Sequence, residues 1–468
     1  MKLGVSLTLS VVEPETATAR ILKRSNFRDG WGTLGKIIQS KLIQPISTKI
    51  SLLAHTIGTT PMNSHASFAK NWLFRLCTTQ NGTSSDSFSN RSVSKLRKGL
   101  AWCGGLLVWL VLMLPAQAAV EMRVAVSQGN DAISVGSSTT GIIRDGSGQA
   151  LYQLPGLQGI TIEADANGVD LTNGGSTLAE SNAFWLEPSE NGFVWIGDKW
   201  YRGRVLVTLD GGELTAVNYV DLEDYLYSVV GSEMPVSWPQ AALQSQAVAA
   251  RSYALYKQAR TRNPLYDVNA TTAHQVYKGL LQEAPSTIAA VDATESQVVT
   301  YNGQVIEAIF HSSSGGFTEN AGDVWSSDVP YLRGVEDFDQ TSPVFSWQKT
   351  FSVSEFSSKI GDVGQVTSIG SPTMTQLGRV ASITIAGDRG SQVLRGRDVR
   401  SALGLRSTRF TIDLNKSADL VTVTGSGFGH GVGMSQWGAR ALAEQGWSFE
   451  DILQHYYQST AIAQLENQ

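Results

Sequence analysis

The sequence predicts an α+β protein, with a β-rich N-terminal part followed by a mixed α/β core built around one long alanine-rich helix. Three observations carry that prediction. From Glu121 to about Leu209, short apolar or alternating runs (Val124-Ala125-Val126, Ile160-Thr161-Ile162, Phe193-Val194-Trp195-Ile196, Val205-Leu206-Val207) are separated by turn-forming clusters such as Asp145-Gly146-Ser147-Gly148 and Asn173-Gly174-Gly175. In the stretch Val229–Arg260 the spacing turns helical, with Leu243, Ala247, Ala250 and Ala254 recurring on one face of mostly small residues. Beyond it, helix and strand signals alternate to the end of the chain.

Taken in order, residues 1–94 are rich in Ser, Thr and Asn, weakly periodic and poor in acids, and read as a leader that is disordered, removed or the product of a mis-assigned start. Residues 95–118 follow the plan of a signal peptide. Lys95-Leu96-Arg97-Lys98 is basic, Gly99–Leu114 is uncharged and mostly apolar, and Pro115-Ala116-Gln117-Ala118 supplies a small-residue cleavage pattern. The apolar run is short for a membrane span, so membrane attachment is expected only through an uncleaved signal segment. The expected location is outside the inner compartment, in the periplasm or cell wall. The charge divides at the same place: a net +10 before Ala119 and −15 after it make up the overall −5. So acidic a mature region is a poor match for nucleic acid or an anionic membrane. Cys77 and Cys103 both precede the cut, which leaves the mature region without thiol chemistry. The mature chain divides into a β-rich part, 119–210, and a core, 211–468, with 345–414 as a smaller subdomain.

The core opens on what reads as a strand end, Tyr225 to Val230, breaking at Gly231-Ser232. Glu233 follows, among Met234, Pro235 and Trp238. Desolvation there raises a carboxyl's pKa and suits it to act as a general acid, whereas a nearby helix N-terminus pulls the other way. The alternative is a loop carboxylate that ties down the turn. Pro239 suits the first position of the long helix. Gln244, Val248, Arg251 and Leu255 share its second stripe, which aims Gln244 and Arg251 toward one cleft. In Tyr266–Gly279, His274, Gln275 and Tyr277 are candidates for the polar lining of that cleft. One histidine without thiols does not make a zinc site, and neither metal nor cofactor is expected.

Ala289–Thr300 reads as helix and Gln304–Phe310 as strand, leading into His311-Ser312-Ser313-Ser314-Gly315-Gly316. Small polar residues at a strand end make a platform for a ligand, with His311, Ser312 and Ser313 as hydrogen-bonding groups. A serine-rich strand cap is the alternative. No serine here has the glycine two positions before it that a nucleophile elbow requires. Trp325 and Tyr331 offer flat aromatic faces. Phe351–Ile360, Val380–Ile385 and Arg397–Leu405 read as helix, strand and helix, and Arg400 as structural. Glycines then fall at 425, 427, 429, 431 and 433, a spacing that fits neither nucleotide-binding pattern. His430 and Gln436 in this segment join the candidate binding residues. A helix from about Met434 to Gln445 stops at Gly446, and Ser448 with Asp451 caps a last one, Phe449–Tyr457.

Several of these stretches resemble, in order, the motifs of the stage II sporulation protein D and amidase-enhancer (SpoIID/LytB) family. They are Tyr201-Arg202-Gly203, Glu233-Met234-Pro235, Trp238-Pro239, the Gln246–Arg251 run, His311–Gly316, Val324-Trp325, Pro330-Tyr331-Leu332, Ser407–Phe410 and Gly429–Gln436. The resemblance implies a lytic transglycosylase that cuts peptidoglycan glycan strands stripped of stem peptides, with Glu233 as catalytic acid. One carboxylate is enough for that chemistry, because the C6 hydroxyl of muramic acid closes a 1,6-anhydro ring where hydrolases usually need a second carboxylate. It further implies that Arg251 pairs with the lactyl carboxylate or orients Glu233. Gln244 stands where the family often has Lys, and Asn269 and Ala270 where some members have zinc-binding thiols. The implied partners are glycan strands and, through the amidase-enhancer branch, a wall amidase. A glycan-binding enhancer without catalysis is the second reading. A zinc amidase using His274, His311 and His430 lacks ligand spacing.

Overall fold

A computed structural model describes residues 120–465 apart from 166, 167 and 326. The leader and signal segment inferred from sequence lie outside the described residues. Those residues form an α+β fold of eight α-helices and 25 strands. No described helix is long and apolar enough to cross a membrane.

The β-rich part is two sheets that share one core. A seven-stranded sheet takes the order 268–269, 121–130, 213–221, 204–210, 183–188, 141–145 and 150–154. A six-stranded sheet runs 199–201, 194–196, 132–137, 159–165, 168–173 and 176–181. Val124, Val135, Ile162, Phe184 and Val207 are buried together between them, as alternation with one face inward requires. The hairpin Arg204–Asp210/Glu213–Asp221 turns through Gly211 and Gly212, both at positive φ, which glycine adopts at little cost. That hairpin straddles residue 210, so chain from both sides of it belongs to one sheet.

Tyr225–Val230 is not the end of a strand. The strand stops at Asp221, whose carboxylate accepts from the Glu223 and Asp224 N–H groups (2.9 and 3.4 Å) and caps helix α1, Leu222–Glu233. Leu222, Tyr225, Leu226, Val229 and Val230 are buried at helical spacing. The helix runs straight through Gly231-Ser232. Glycine is required at 231 because a Cβ there would overlap the Gln282 carbonyl.

Helix α2, Gln240–Gln258, is capped by Pro239, one position outside the helix. Its face of Leu243, Ala247, Ala250 and Ala254 is fully buried, and α1 packs on it together with helices α3 (Pro285–Asp292), α7 (Gln436–Glu444) and α8 (Phe449–Tyr456). The helix expected over Ala289–Thr300 ends at Asp292. The next apolar residues form the strand Gln297–Tyr301, which pairs with Ala461–Gln464. The C-terminal helix starts at Gln436 rather than Met434, because Met434-Ser435 pairs in parallel with Phe310-His311 and Ser435 caps the helix.

A second core gathers Phe351, Phe356, Ile385, Val399, Val421 and Val423. It lies between strands 346–351, 410–415 and 420–426, strands 366–369, 373–374, 380–387 and 390–395, and helices α5 (Val353–Ile360) and α6 (Gly396–Leu403). The short helix α4, Ala321–Trp325, packs Ala321 and Val324 on the first core.

Candidate functional site

Glu233 is the last residue of α1, half-buried at the point where the chain turns toward α2. One carboxylate oxygen accepts from the Val276 N–H (2.8 Å) and the other from the Gln436 side-chain amide (3.4 Å). The same amide reaches the Gln246 side-chain oxygen, Oε1 (3.4 Å). Burial pushes the carboxyl above its ordinary range; the two hydrogen bonds and the Lys278 ammonium pull it back without cancelling the rise. Among the described residues its hydrogen-bond donors are an N–H and a side-chain amide, not a carboxyl. Ser232 Oγ and Gln246 Nε2 are buried without a hydrogen-bond partner among the described residues. Trp238 and Trp437 meet edge to face (4.9 Å), with the Arg440 guanidinium over both rings.

The serine run and the glycine-rich segment come together next to Gln436, the residue that reaches this carboxyl. Phe428 and Ser313 pair as an isolated antiparallel bridge, residues 310–311 pair in parallel with 434–435, and the Trp437 N–H donates to the Ser312 carbonyl. The glycines permit the approach: a Cβ at Gly429 would meet His311, at Gly431 the Arg379 guanidinium and at Gly433 the Ile309 carbonyl. All three have positive φ.

The structure assigns parts to the sequence-selected residues that differ from those expected. Gln436 touches Glu233, and Ser312 is half-buried beside Trp437. Trp325 is 43% exposed and packs at a tilt on His430, ring centres 5.2 Å apart. Arg251 is not in the cleft: its fully buried guanidinium pairs with Glu223 (2.5 Å) and donates to the Gln297 carbonyl (3.0 Å). Gln244 lies two turns earlier on the same stripe, half-buried, and it is Gln246 that faces Gln436. Gln275 is fully buried as a strut, accepting from the Tyr225 hydroxyl (3.2 Å) and donating to the Ala250 carbonyl (3.2 Å). Ser313 donates to Asp339 and Ser314 to Asp337, both buried carboxylates, so these hydroxyls hold the loop rather than a ligand. Burial and the neighbouring Asp339 raise the Asp337 carboxyl. Tyr331 lies elsewhere, on Tyr301 and near Tyr256 and Arg260 at the far end of α2.

The histidines are fixed. His430 accepts from the Val432 N–H at Nδ1 (3.1 Å) and faces the Phe310 carbonyl with Nε2 (3.0 Å), which sets a neutral ring; burial and Arg379 hold its pKa at about 4. His311 is buried, with Nδ1 toward the Val432 carbonyl (3.2 Å), and burial and the His430 ring hold it well below the usual range. His274 accepts from the Asn269 N–H (3.3 Å). Among the described residues, no group of three or more His, Cys, Asp and Glu is arranged to hold a metal ion.

The sequence reading missed Gln246, the Val276 N–H, Phe428 and the Asp337–Asp339 pair. Gln246 had a signal: it sits on α2 beside Ala247 and between Leu243 and Ala250, a polar side chain in an otherwise apolar buried face.

Residues 210–301 match the family model described as stage II sporulation protein, and residues 319–433 one described as a domain of unknown function (DUF8618). The chain is 40% identical over 276 residues to stage II sporulation protein D of Bacillus amyloliquefaciens, covering 54% of this chain and 77% of that protein. It is 37% identical over 269 residues to stage II sporulation protein D of Bacillus subtilis, with the same shares. To the amidase enhancer of Bacillus subtilis it is 32% identical over 290 residues, which is 51% of this chain and 40% of that protein.

Proposed function

The chain belongs to the SpoIID/LytB family, and from that premise we propose that it has a cell-wall-related role in which it binds peptidoglycan glycan strands and cleaves them as a lytic transglycosylase. The observation that carries the reading is a single half-buried carboxyl, Glu233, raised by desolvation and hydrogen-bonded by an N–H and an amide rather than by a second carboxyl. A hydrolase built on two carboxylates would bring the second within about 5–9.5 Å, where it would perturb the first. A lone carboxyl fits a reaction in which the substrate supplies its own nucleophile.

In this mechanism protonated Glu233 gives its proton to the glycosidic oxygen as the bond from that oxygen to the muramic acid C1 breaks. The C6 hydroxyl oxygen then bonds to C1, and its proton returns to Glu233. Acid and base are the same group, and the carboxyl ends the cycle protonated. The Val276 N–H and the Gln436 amide orient it and stabilise its charged interval. Ser232 Oγ and Gln246 Nε2 are suited to an acetamido or hydroxyl group of the sugar. Trp325 and Ser312 complete the cleft wall. Residues 95–118 support export to the periplasm or wall.

A second reading, a non-catalytic enhancer of a separate wall amidase, is favoured by the similarity to the amidase enhancer. Denuded glycan incubated with the chain alone, and peptide-bearing peptidoglycan incubated with an amidase with and without the chain, separate the two. Products with 1,6-anhydro ends from the chain alone support the transglycosylase. Release of stem peptides that rises only when both proteins are present, with intact strands, supports the enhancer.

A further inference from the structure

We propose that Arg400, Arg406 and Arg409, backed from beneath by Arg379, form an anion subsite beside the glycine-rich turn, and that its ligand is a carboxylate carried by a sugar of the glycan. The inference rests on the glycan reading above and gives a part to the stretch that matches a domain of unknown function, 319–433. It also replaces the structural role that sequence alone suggested for Arg400.

The four arginines of the two-sheet part, Arg123, Arg144, Arg202 and Arg204, and Arg251 of α2 all form ion pairs with carboxylates. None of Arg379, Arg400, Arg406 and Arg409 forms one among the described residues, whereas Arg333, Arg395 and Arg397 of the same stretch do. Arg379, Arg400 and Arg409 act on one another nonetheless, with Arg379 donating to the Thr408 hydroxyl beside Arg409 (3.4 Å), and Arg406 is tied to the glycine-rich turn through its backbone. Arg379 is 2% exposed, donates to the Ser314 carbonyl (2.9 Å) and lies against Gly431. Its Nε is buried without a partner. The Arg406 carbonyl accepts from the Gly429 N–H (3.0 Å), and Arg406 itself is exposed. Arg409 donates to the Leu377 carbonyl (2.7 Å) and Arg400 to the Leu405 carbonyl (3.3 Å), both half-buried.

Burial and the neighbouring Arg409 and Arg400 bring Arg379 down to about 10, partly offset by Glu319. Burying cations next to one another costs free energy unless an anion neutralises them. The two carboxylates that act on this group are already engaged. Glu319 accepts from the Thr375 hydroxyl (2.6 Å) and the Asn320 N–H (3.1 Å), and Asp339 from the Gly315 and Gly316 N–H groups (2.8 and 2.9 Å).

The position suits a sugar acid. Phe428, 46% exposed, and Trp325 flank the turn with aromatic faces, and the serine run lies between Phe428 and the Trp437 next to Gln436. Aromatic faces stack on sugar rings, while guanidinium forks take carboxylates in bidentate fashion. In wall glycan that combination is met by muramic acid, whose lactyl carboxylate is free once the stem peptide is removed.

The test is tryptophan fluorescence titration of the full chain carrying Glu233→Gln, so that cleavage does not intervene. Three tetrasaccharides are compared: N-acetylglucosamine only, alternating N-acetylglucosamine and muramic acid with free lactyl groups, and the latter bearing stem peptides. The free-lactyl glycan is expected to bind on the order of tenfold tighter than the neutral one at low salt, the size of one charge-assisted hydrogen bond. The preference shrinks at high salt. Arg406→Gln, at an exposed position where folding is not at stake, and Arg400→Gln each remove most of the preference and leave neutral-oligomer affinity unchanged. Equal affinity for the neutral and free-lactyl glycans, or an undiminished preference in Arg406→Gln, overturns the subsite and leaves the glycan reading standing. Equal gain with the peptide-bearing glycan overturns the lactyl assignment. Failure to bind any of the three removes the glycan reading and the subsite together.

Discussion

Replacing Gln436 by leucine separates the electrostatics of Glu233 from its presence. The Gln436 amide donates to one Glu233 oxygen at 3.4 Å while the Val276 N–H holds the other at 2.8 Å. A donor to a carboxylate stabilises the charged form, so its removal raises the pKa. At 3.4 Å the bond is long, and about 1 kcal/mol is a fair value for it. At about 1.4 kcal/mol per unit, that is roughly 0.7 of a pH unit. A general acid works protonated, so cleavage is lost as pH climbs through its pKa. The descending limb of the pH–rate profile on denuded glycan therefore moves up by that amount. Leucine also leaves the fully buried Gln246 oxygen without its donor, at about 1–3 kcal/mol of stability, read as a lower urea midpoint. A stability loss with an unmoved or downward-shifted limb would refute the coupling of Gln436 to the acid.

Arg251→Met leaves Glu223 beside an apolar site and lowers stability by about 3 kcal/mol, seen in thermal melts; lost glycan binding at an unchanged Tm would instead return Arg251 to the cleft. Gly431→Ala drives a methyl group into the Arg379 guanidinium at a φ of 84°, and a loss of about 2 kcal/mol or more is expected in urea unfolding. Burial holds Asp224 at about 6, partly opposed by Arg202. Because the folded pKa is raised, the stabilising effect of its neutral form is complete below about pH 4 and is lost as pH rises through 6. Asp224→Asn therefore raises Tm at pH 7.5 by the equivalent of on the order of 1 kcal/mol, discounted because the side chain is 36% exposed, and has little effect at pH 4.

What sequence could reveal was whatever rests on local pattern. The α+β class, the buried alanine face of α2, helix α5 and the Ser448–Asp451 capping box are periodicities and short-range caps, and these were legible. Helix α1 was misread because its β-branched and aromatic residues suggest a strand and Gly231 suggests a break; tertiary packing of the 222/225/226/229/230 stripe overrode both. Glu233 was singled out by its apolar flanks and its E-M-P context; sequence left desolvation and the helix N-terminus opposed, and in the fold burial outweighs the groups that lower its pKa. The partners of the site were not legible. Nothing in the spacing says that Gln246 and Gln436, 190 residues apart, share a hydrogen bond. Nor does it say that Ser313 and Ser314 are taken up by Asp339 and Asp337, or that Arg251 answers Glu223 across two helices. A polar residue's function depends on which long-range partner reaches it first, and only the fold decides that.

The most direct test of the central claim is mass spectrometry of denuded glycan after incubation with the purified chain and with its Glu233→Gln variant. The native chain is predicted to release fragments with 1,6-anhydro ends, and the variant to bind the same glycan while releasing none. Anhydro fragments from the variant, or hydrolysed reducing ends from the native chain, would contradict a mechanism in which one carboxyl carries the proton both ways.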